Sequence, residues 1–403
     1  MDIRSITLFC EPDDDLPSLS GFIQNARAAF AYPVQTVRLA TPPFPNWWPT
    51  KPDDAEGIRQ HAQQLAVHWQ NLGIHYAALG PVQLSHDKAW LTAVPPLLSA
   101  TDMLFASVEI ADRHGRIHTL RCQQTAQLIR QISAVFENGF GNLYLTAVAN
   151  CPPGSPFFPV AYHQGGPAHF AIAVESADLA LTAIQNSQTL TEARQNLITA
   201  IETAAASLTQ TAESLARTHN IPFNGIDFSL APFPTADKSL GAAMEALGLP
   251  HVGAAGSLFA AGFITEAIER ANFKRCGFSG LMLPVLEDSV LARRAADNVL
   301  SIQDLLSYSA VCGVGLDTIP LPGDVSQAQL TAVLLDLAML ASRLNKPLTA
   351  RLMPLPGLHA GDPVTFDFPY FADSHVMGII GSGISGLLAR PEILQVNDII
   401  RDP

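Results

Sequence analysis

Ionisable side chains are scarce in this chain, and four segments gather them beside glycine and proline. NCPPGSPFFPVAYHQGGP, residues 150–167, carries His163, an imidazole that titrates near neutrality and suits general acid-base work. GIDFSLAPFPTADKS, residues 225–239, carries Asp227 inside an apolar run and Ser239 at its end. PVLEDS, residues 284–289, places Glu287 beside Asp288, and CGVGLDTIPLPGDVS, residues 312–326, holds Cys312, Asp317 and Asp324. An aspartate within a buried strand must meet a cation or backbone amides, because an unpaired buried charge is too costly to keep. His163, Asp227 and Asp317 are therefore the candidate catalytic groups, read as opening onto one cavity. Arg351, in LTARLMPLPGLHAGD, could hold a carboxylate in a bidentate manner, with Ser239 as a second substrate contact.

Hard oxygen donors at Glu287 and Asp324 would suit Mg2+, Mn2+ or Ca2+ better than zinc. Each candidate also has a plainer reading. Asp324 sits in PGDVS, where a turn or helix cap is ordinary, and the adjacent Glu287 and Asp288 point apart unless the backbone bends. Cys312 is a possible thiol nucleophile, although burial as a small hydrophobe is the default reading. No GxGxxG after an expected strand and no GKS or GKT occurs, which disfavours nucleotide binding.

These residues need a scaffold, and short apolar runs alternating with longer helical patterns supply one of the α/β class, with parallel strands. Strands are expected at 6–10, 34–39, 76–79, 143–149, 169–174, 225–230, 280–283, 314–319 and 348–353. Residues 192–218 repeat apolar positions every three or four residues, and Thr189 with Glu192 offers a capping box. A second helix should begin after Ser326, with Leu330, Val333, Leu334, Leu337 and Ala341 on its inner stripe. TPPFPNWWPTKPDD, residues 41–54, reads as a surface excursion, a lid or an oligomer contact. Without an interdomain linker, residues 1–403 read as a single barrel-like domain.

The 403 residues are 48% hydrophobic and 15% charged, against about 25% charged in an average globular chain. A large core is within reach. The formal charge of −13 repels phosphate backbones and anionic lipid, so neither nucleic acid nor membrane is an expected partner. Five cysteines without a CxxC pair signal neither a disulfide framework nor a thiolate zinc site. No secretory or membrane-spanning segment is legible, so a cytoplasmic location is expected.

GIDFSLAPFPTADKS, PVLEDS, CGVGLDTIPLPGD and RLMPLPGLHAGDPVTF occur in order between about residues 223 and 366, with YHQGGP at 162 and MDIRSIT at the start. Together these blocks resemble domain-of-unknown-function family 711. That resemblance implies a ten-stranded α/β barrel similar to those of pyruvate formate-lyase-like glycyl radical enzymes, with helices outside. It does not imply their chemistry, because GIIGSGISGLL, residues 378–388, lacks the arginine and aromatic of the radical-storing motif.

The expected function is an enzyme acting on a small polar metabolite, carboxylate-bearing where Arg351 anchors it, by acid-base or divalent-metal-assisted chemistry. The alternative is a non-catalytic binding or sensor protein for an amino-acid-like ligand. A homo-oligomer is expected on general grounds.

Overall fold

The computed structural model describes residues 1–12 and 16–397. Thirteen strands occur among them: β1 (Asp2–Phe9), β2 (Val34–Ala40), β3 (Tyr76–Val82), β4 (Leu104–Ala111), β5 (Arg116–His118), β6 (Leu145–Ala149), β7 (His169–Glu175), β8 (Phe223–Ala231), β9 (Gly315–Pro322), β10 (Leu348–Leu355), β11 (Pro363–Val364), β12 (Ser374–His375) and β13 (Ile393–Gln395). The main sheet runs β8-β7-β1-β2-β3-β4-β6-β10-β9, with β5 and β13 branching from β4. Long strands such as β9 and β10 are buried along their whole length, which is why they read as apolar runs rather than alternating ones.

The pairing has a direction that the runs themselves do not disclose. β1, β2, β3, β4 and β6 are mutually parallel, as are β7 with β8 and β9 with β10. These groups meet antiparallel, at β1 with β7 and at β6 with β10. One group therefore presents its amino ends where the other presents its carboxyl ends.

The sheet is large and mostly parallel, but its ladder of strands does not close. Residues 280–283 do not form the expected strand. The surrounding segment pairs with the two edges by isolated parallel bridges, Ile226 with Arg275 and Pro284 with Asp317, and forms no continuous ladder there. Gly280 lies so close to Gly313 that an added Cβ would sit 2.5 Å from its Cα, and Pro284 has no N–H to give a ladder. The expected strand at 143–149 starts at Leu145, because Leu143 and Tyr144 end the 3-10 turn Glu137–Tyr144.

Helices cover the sheet. Helix Leu190–His219 buries Leu197, Ile201, Ala204, Leu208, Ala212 and Leu215, the stripe expected for it. Thr189 accepts from the Glu192 N–H, but the Glu192 carboxylate takes the Gln188 N–H instead of closing the box. Helix Gln327–Leu344 does have the full reciprocal cap, between Ser326 and Gln329. Among the described residues no helix is long and apolar enough to cross a membrane.

The Pro/Trp segment departs from expectation. Phe44 and Trp48 are buried, Phe44 meets the Trp90 ring edge-on at 5.6 Å, and Trp48 meets His61 at 4.8 Å. Two large rings placed between prolines are better removed from water than left on a loop. Residues 41–44 and Trp48 are thus packed against the core, while Asn46, Pro49, Lys51, Asp53 and Asp54 stay at the surface.

Candidate functional site

A cavity of about 900 Å³, counting its open mouth, lies where the two groups of strands face each other. The amino-terminal half of β1 brings Arg4 to it, β2 brings Arg38 from just past its midpoint, and the middle of β10 brings Arg351. Asp227 and Ser229 enter from β8, and Glu287 from the turn after Pro284. Rings from Tyr76, Phe105, Tyr144 and Phe158 make up much of the wall, and Phe368 and Tyr370 reach in from beyond β11. An outer depression shares Gln35, Thr36, Tyr76 and Tyr370 with the cavity and leads into it.

Arg351 is the hub of a buried ion cluster. Its Nε donates to Asp317 Oδ1 at 2.6 Å and its Nη2 to Glu287 Oε1 at 2.9 Å. The other Glu287 oxygen accepts from Arg4. An irregularity in the β9-β10 register aims these groups. Ala350 faces Leu316 and Leu352 faces Ile319, so Arg351 stands opposite both Asp317 and Thr318. Thr318 sits at φ 46°, an uncommon backbone state for a β-branched residue. β8 bends similarly, with Leu230 at φ 49°.

The cluster separates its two acids. Burial pushes Asp317 above the usual carboxylate range by more than Arg351 offsets. Against the same cost of burial, Arg4 and Arg351 hold Glu287 below that range. Asp317 Oδ2 is buried without a hydrogen-bond partner among the described residues.

Arg38 is different. Its Nε donates to Thr36 Oγ1 at 2.8 Å, and its guanidinium lies 5.0 Å from the Phe158 ring centre and 5.7 Å from that of Tyr76. No carboxylate pairs with it among the described residues. Burial and then the like charge of Arg4 push it down to about 9, which still leaves it protonated at neutral pH.

The residues singled out from sequence divide accordingly. Asp317, Glu287 and Arg351 do come together, but Arg351 is fully engaged by the two acids rather than free for a substrate. Asp227 lines the cavity with its carboxylate already held by Ser229 and by the Phe278 and Ser279 N–H groups, both at 3.0 Å. Burial raises Asp227 even so.

His163 does not line this cavity. Its N–H donates to Thr41 beyond the carboxyl end of β2, and its Nε2 lies 3.1 Å from the Gly166 carbonyl oxygen. The expected grouping of 163, 227 and 317 around one space is therefore corrected. Ser239 is buried elsewhere, donating to Asp288 Oδ1 at 2.6 Å and capping helix Leu240–Ala246. Asp324 is exposed, facing His359 at 3.2 Å, and does not meet Glu287. Among the described residues no set of three His, Cys, Asp or Glu could hold a metal ion. Cys312 is in the hydrophobic core, and burial pushes its thiol up to about 11.

Arg4 and Arg38 lie inside β1 and β2, where reasoning from the loops after strand carboxyl ends does not reach them. The available signal was the one that marked Asp227, a charged residue inside an apolar strand: DIRSIT and TVRLA.

Asp227 depends on a glycine. Gly277 has φ +62°, and a Cβ there would sit 2.1 Å from Asp227 Oδ2. Gly277→Ala is expected to cost about 2–4 kcal/mol, from left-handed strain and displacement of the carboxylate from its amides. Urea unfolding measures this, and a loss below about 0.5 kcal/mol would show that Asp227 has room to shift.

Comparison with known proteins gives kinship without chemistry. A UPF0210 protein of Pyrobaculum aerophilum is 33% identical over 287 residues, 68% of this chain and 62% of that protein. One from Pyrobaculum islandicum is 30% identical over 361 residues, 86% of this chain and 79% of the relative. Another, from Neisseria meningitidis serogroup B, is 27% identical over 292 residues, 70% and 64% of the two chains. With a family model matched along residues 1–367, the chain belongs to the family described as Uncharacterised ACR (DUF711).

Proposed function

We propose that the cavity binds a small carboxylate-bearing metabolite, anchored by Arg38, and that the protein acts on it by acid-base chemistry. The observation that carries this reading is a guanidinium in a ring-lined cavity with no carboxylate of its own. Its Nε is held by Thr36, so the two terminal nitrogens form a fork matching a carboxylate. The neighbouring Arg4 adds positive potential. Chemistry is supported by the opposite displacements of Glu287 and Asp317, the kind of separation that assigns acid and base roles, and by non-glycine residues in the left-handed region beside Ser229 and Asp317.

A binding or sensor protein is the second reading. Its support is that Asp227 and Glu287, which line the cavity, are already held by amides or guanidinium groups and that among the described residues no histidine lines it. The scaffold fits a ten-stranded barrel under either reading, with residues 275–284 in the tenth position between β8 and β9.

Calorimetric titration with small carboxylates and their matching amides tests the anchor. Wild-type protein should prefer the acids, and Arg38→Gln should weaken carboxylate binding about 100-fold, the value of a charged hydrogen-bonded pair in a partly desolvated site. Equal binding of acid and amide, or a change under twofold in the variant, would remove Arg38 from the role.

A further inference from the structure

We infer that the carboxylate's body is an aromatic ring, so that the preferred ligands are aromatic carboxylic acids with a polar substituent remote from the carboxylate. This rests on the Arg38 anchor proposed above. The rings around that anchor already meet one another at steep angles: Tyr76 and Phe105 at 5.5 Å and 85°, Phe105 and Phe158 at 5.4 Å and 70°, Phe105 and Tyr144 at 5.0 Å and 59°. Such edge-to-face arrangements present both ring edges and ring faces, and a flat guest can complete them.

The anchor and the rings belong to one wall, since Arg38 lies against Phe158 and Tyr76 themselves. A carboxylate in the plane of that guanidinium carries its attached group directly among the rings. A saturated body would fill the same space but would gain nothing from the quadrupoles of its surroundings.

The cavity also holds hydroxyls awaiting a partner. Tyr76, Tyr144 and Tyr370 all line it, and none has a hydrogen bond from its phenol to another described residue. Groups that can both donate and accept, set among the rings of the wall, give a bound molecule its orientation. A ring hydroxyl or amine opposite the carboxylate would satisfy one of them.

The full chain, titrated calorimetrically with benzoate, cyclohexanecarboxylate, 4-hydroxybenzoate and benzamide, decides the matter. Benzoate should bind at least about fivefold tighter than cyclohexanecarboxylate, and 4-hydroxybenzoate a further few-fold tighter than benzoate. That last gain, read as the ratio of 4-hydroxybenzoate to benzoate affinity within each variant, should vanish in Tyr144→Phe or in Tyr370→Phe. Equal or tighter binding of cyclohexanecarboxylate would overturn the aromatic assignment while leaving the anchor standing. Benzoate binding no better than benzamide, with Arg38→Gln unchanged from wild type, would overturn anchor and aromatic class together.

Discussion

Arg351→Ala is expected to destabilise the protein by about 3–5 kcal/mol at neutral pH, the cost of removing one partner from a buried ion cluster. The change leaves Asp317 buried with neither oxygen paired to a cation, whereas Glu287 keeps Arg4. The size of the effect comes from the charge left behind rather than from the attraction lost.

The pH dependence separates this cause from a simple cavity. Burial already raises Asp317 in the folded protein, and losing Arg351 raises it further. A carboxyl raised on folding holds its proton more firmly when folded. Its effect on stability is therefore favourable at low pH and is lost as pH climbs from the unfolded pKa through the folded one. Glu287 is lowered and has the opposite dependence, but it retains Arg4 in both proteins and largely cancels in the difference. The deficit of Arg351→Ala should thus shrink on acidification from pH 7.5 to 5, as measured by urea unfolding at both values. A pH-independent deficit would refute the charge explanation, and Asp317→Asn in the Arg351→Ala background should recover much of the loss.

Asp288→Ala is expected to be about as damaging, near 4 kcal/mol, for a reason unconnected with ligand binding. One buried carboxylate serves two helix starts. Its Oδ1 accepts from Ser239 Oγ and from the Val290 and Leu291 N–H groups of helix Ser289–Ala296, and its Oδ2 from the Leu240 and Gly241 N–H groups of helix Leu240–Ala246. Alanine would leave four backbone N–H groups and the buried Ser239 hydroxyl without this acceptor. Thermal unfolding reads the result, and Asp288→Asn, which keeps a side-chain oxygen, should recover part of the loss. A shift in Tm of only 1–2 °C for the alanine variant would mean that water enters and replaces the carboxylate.

Much of the scaffold was legible beforehand because its signals are local. Ser326 announced a helix because a hydroxyl and an amide three residues on can cap one another whatever the rest of the chain does. Apolar runs announced β2, β3 and β10 for the same reason. β4 escaped notice, since Ser107 and Glu109 interrupt its run, and only in the structure does Glu109 receive the Leu84 N–H at 2.7 Å.

The candidate site was half legible. Asp227, Glu287, Asp317 and Arg351 attracted attention as charges in apolar surroundings, and all four belong to the cavity or to the ion cluster behind it. Arg4 and Arg38 carry the same signal in DIRSIT and TVRLA, Arg4 near the amino end of β1 and Arg38 just past the middle of β2. His163 was drawn in by proximity to a strand's carboxyl end, and that end faces the other way.

Sequence by itself determined where helices begin, which runs are buried and which residue types had to be compensated inside the core, because those effects act over a few neighbouring residues. Tertiary structure alone decided which acid meets which guanidinium. Arg351 finds Asp317 across 34 residues and Glu287 across 64, and Arg4 finds Glu287 across 283. Such pairings follow from strand order and direction, which long-range packing selects. The same selection left Arg38 as the guanidinium facing the cavity without an acid.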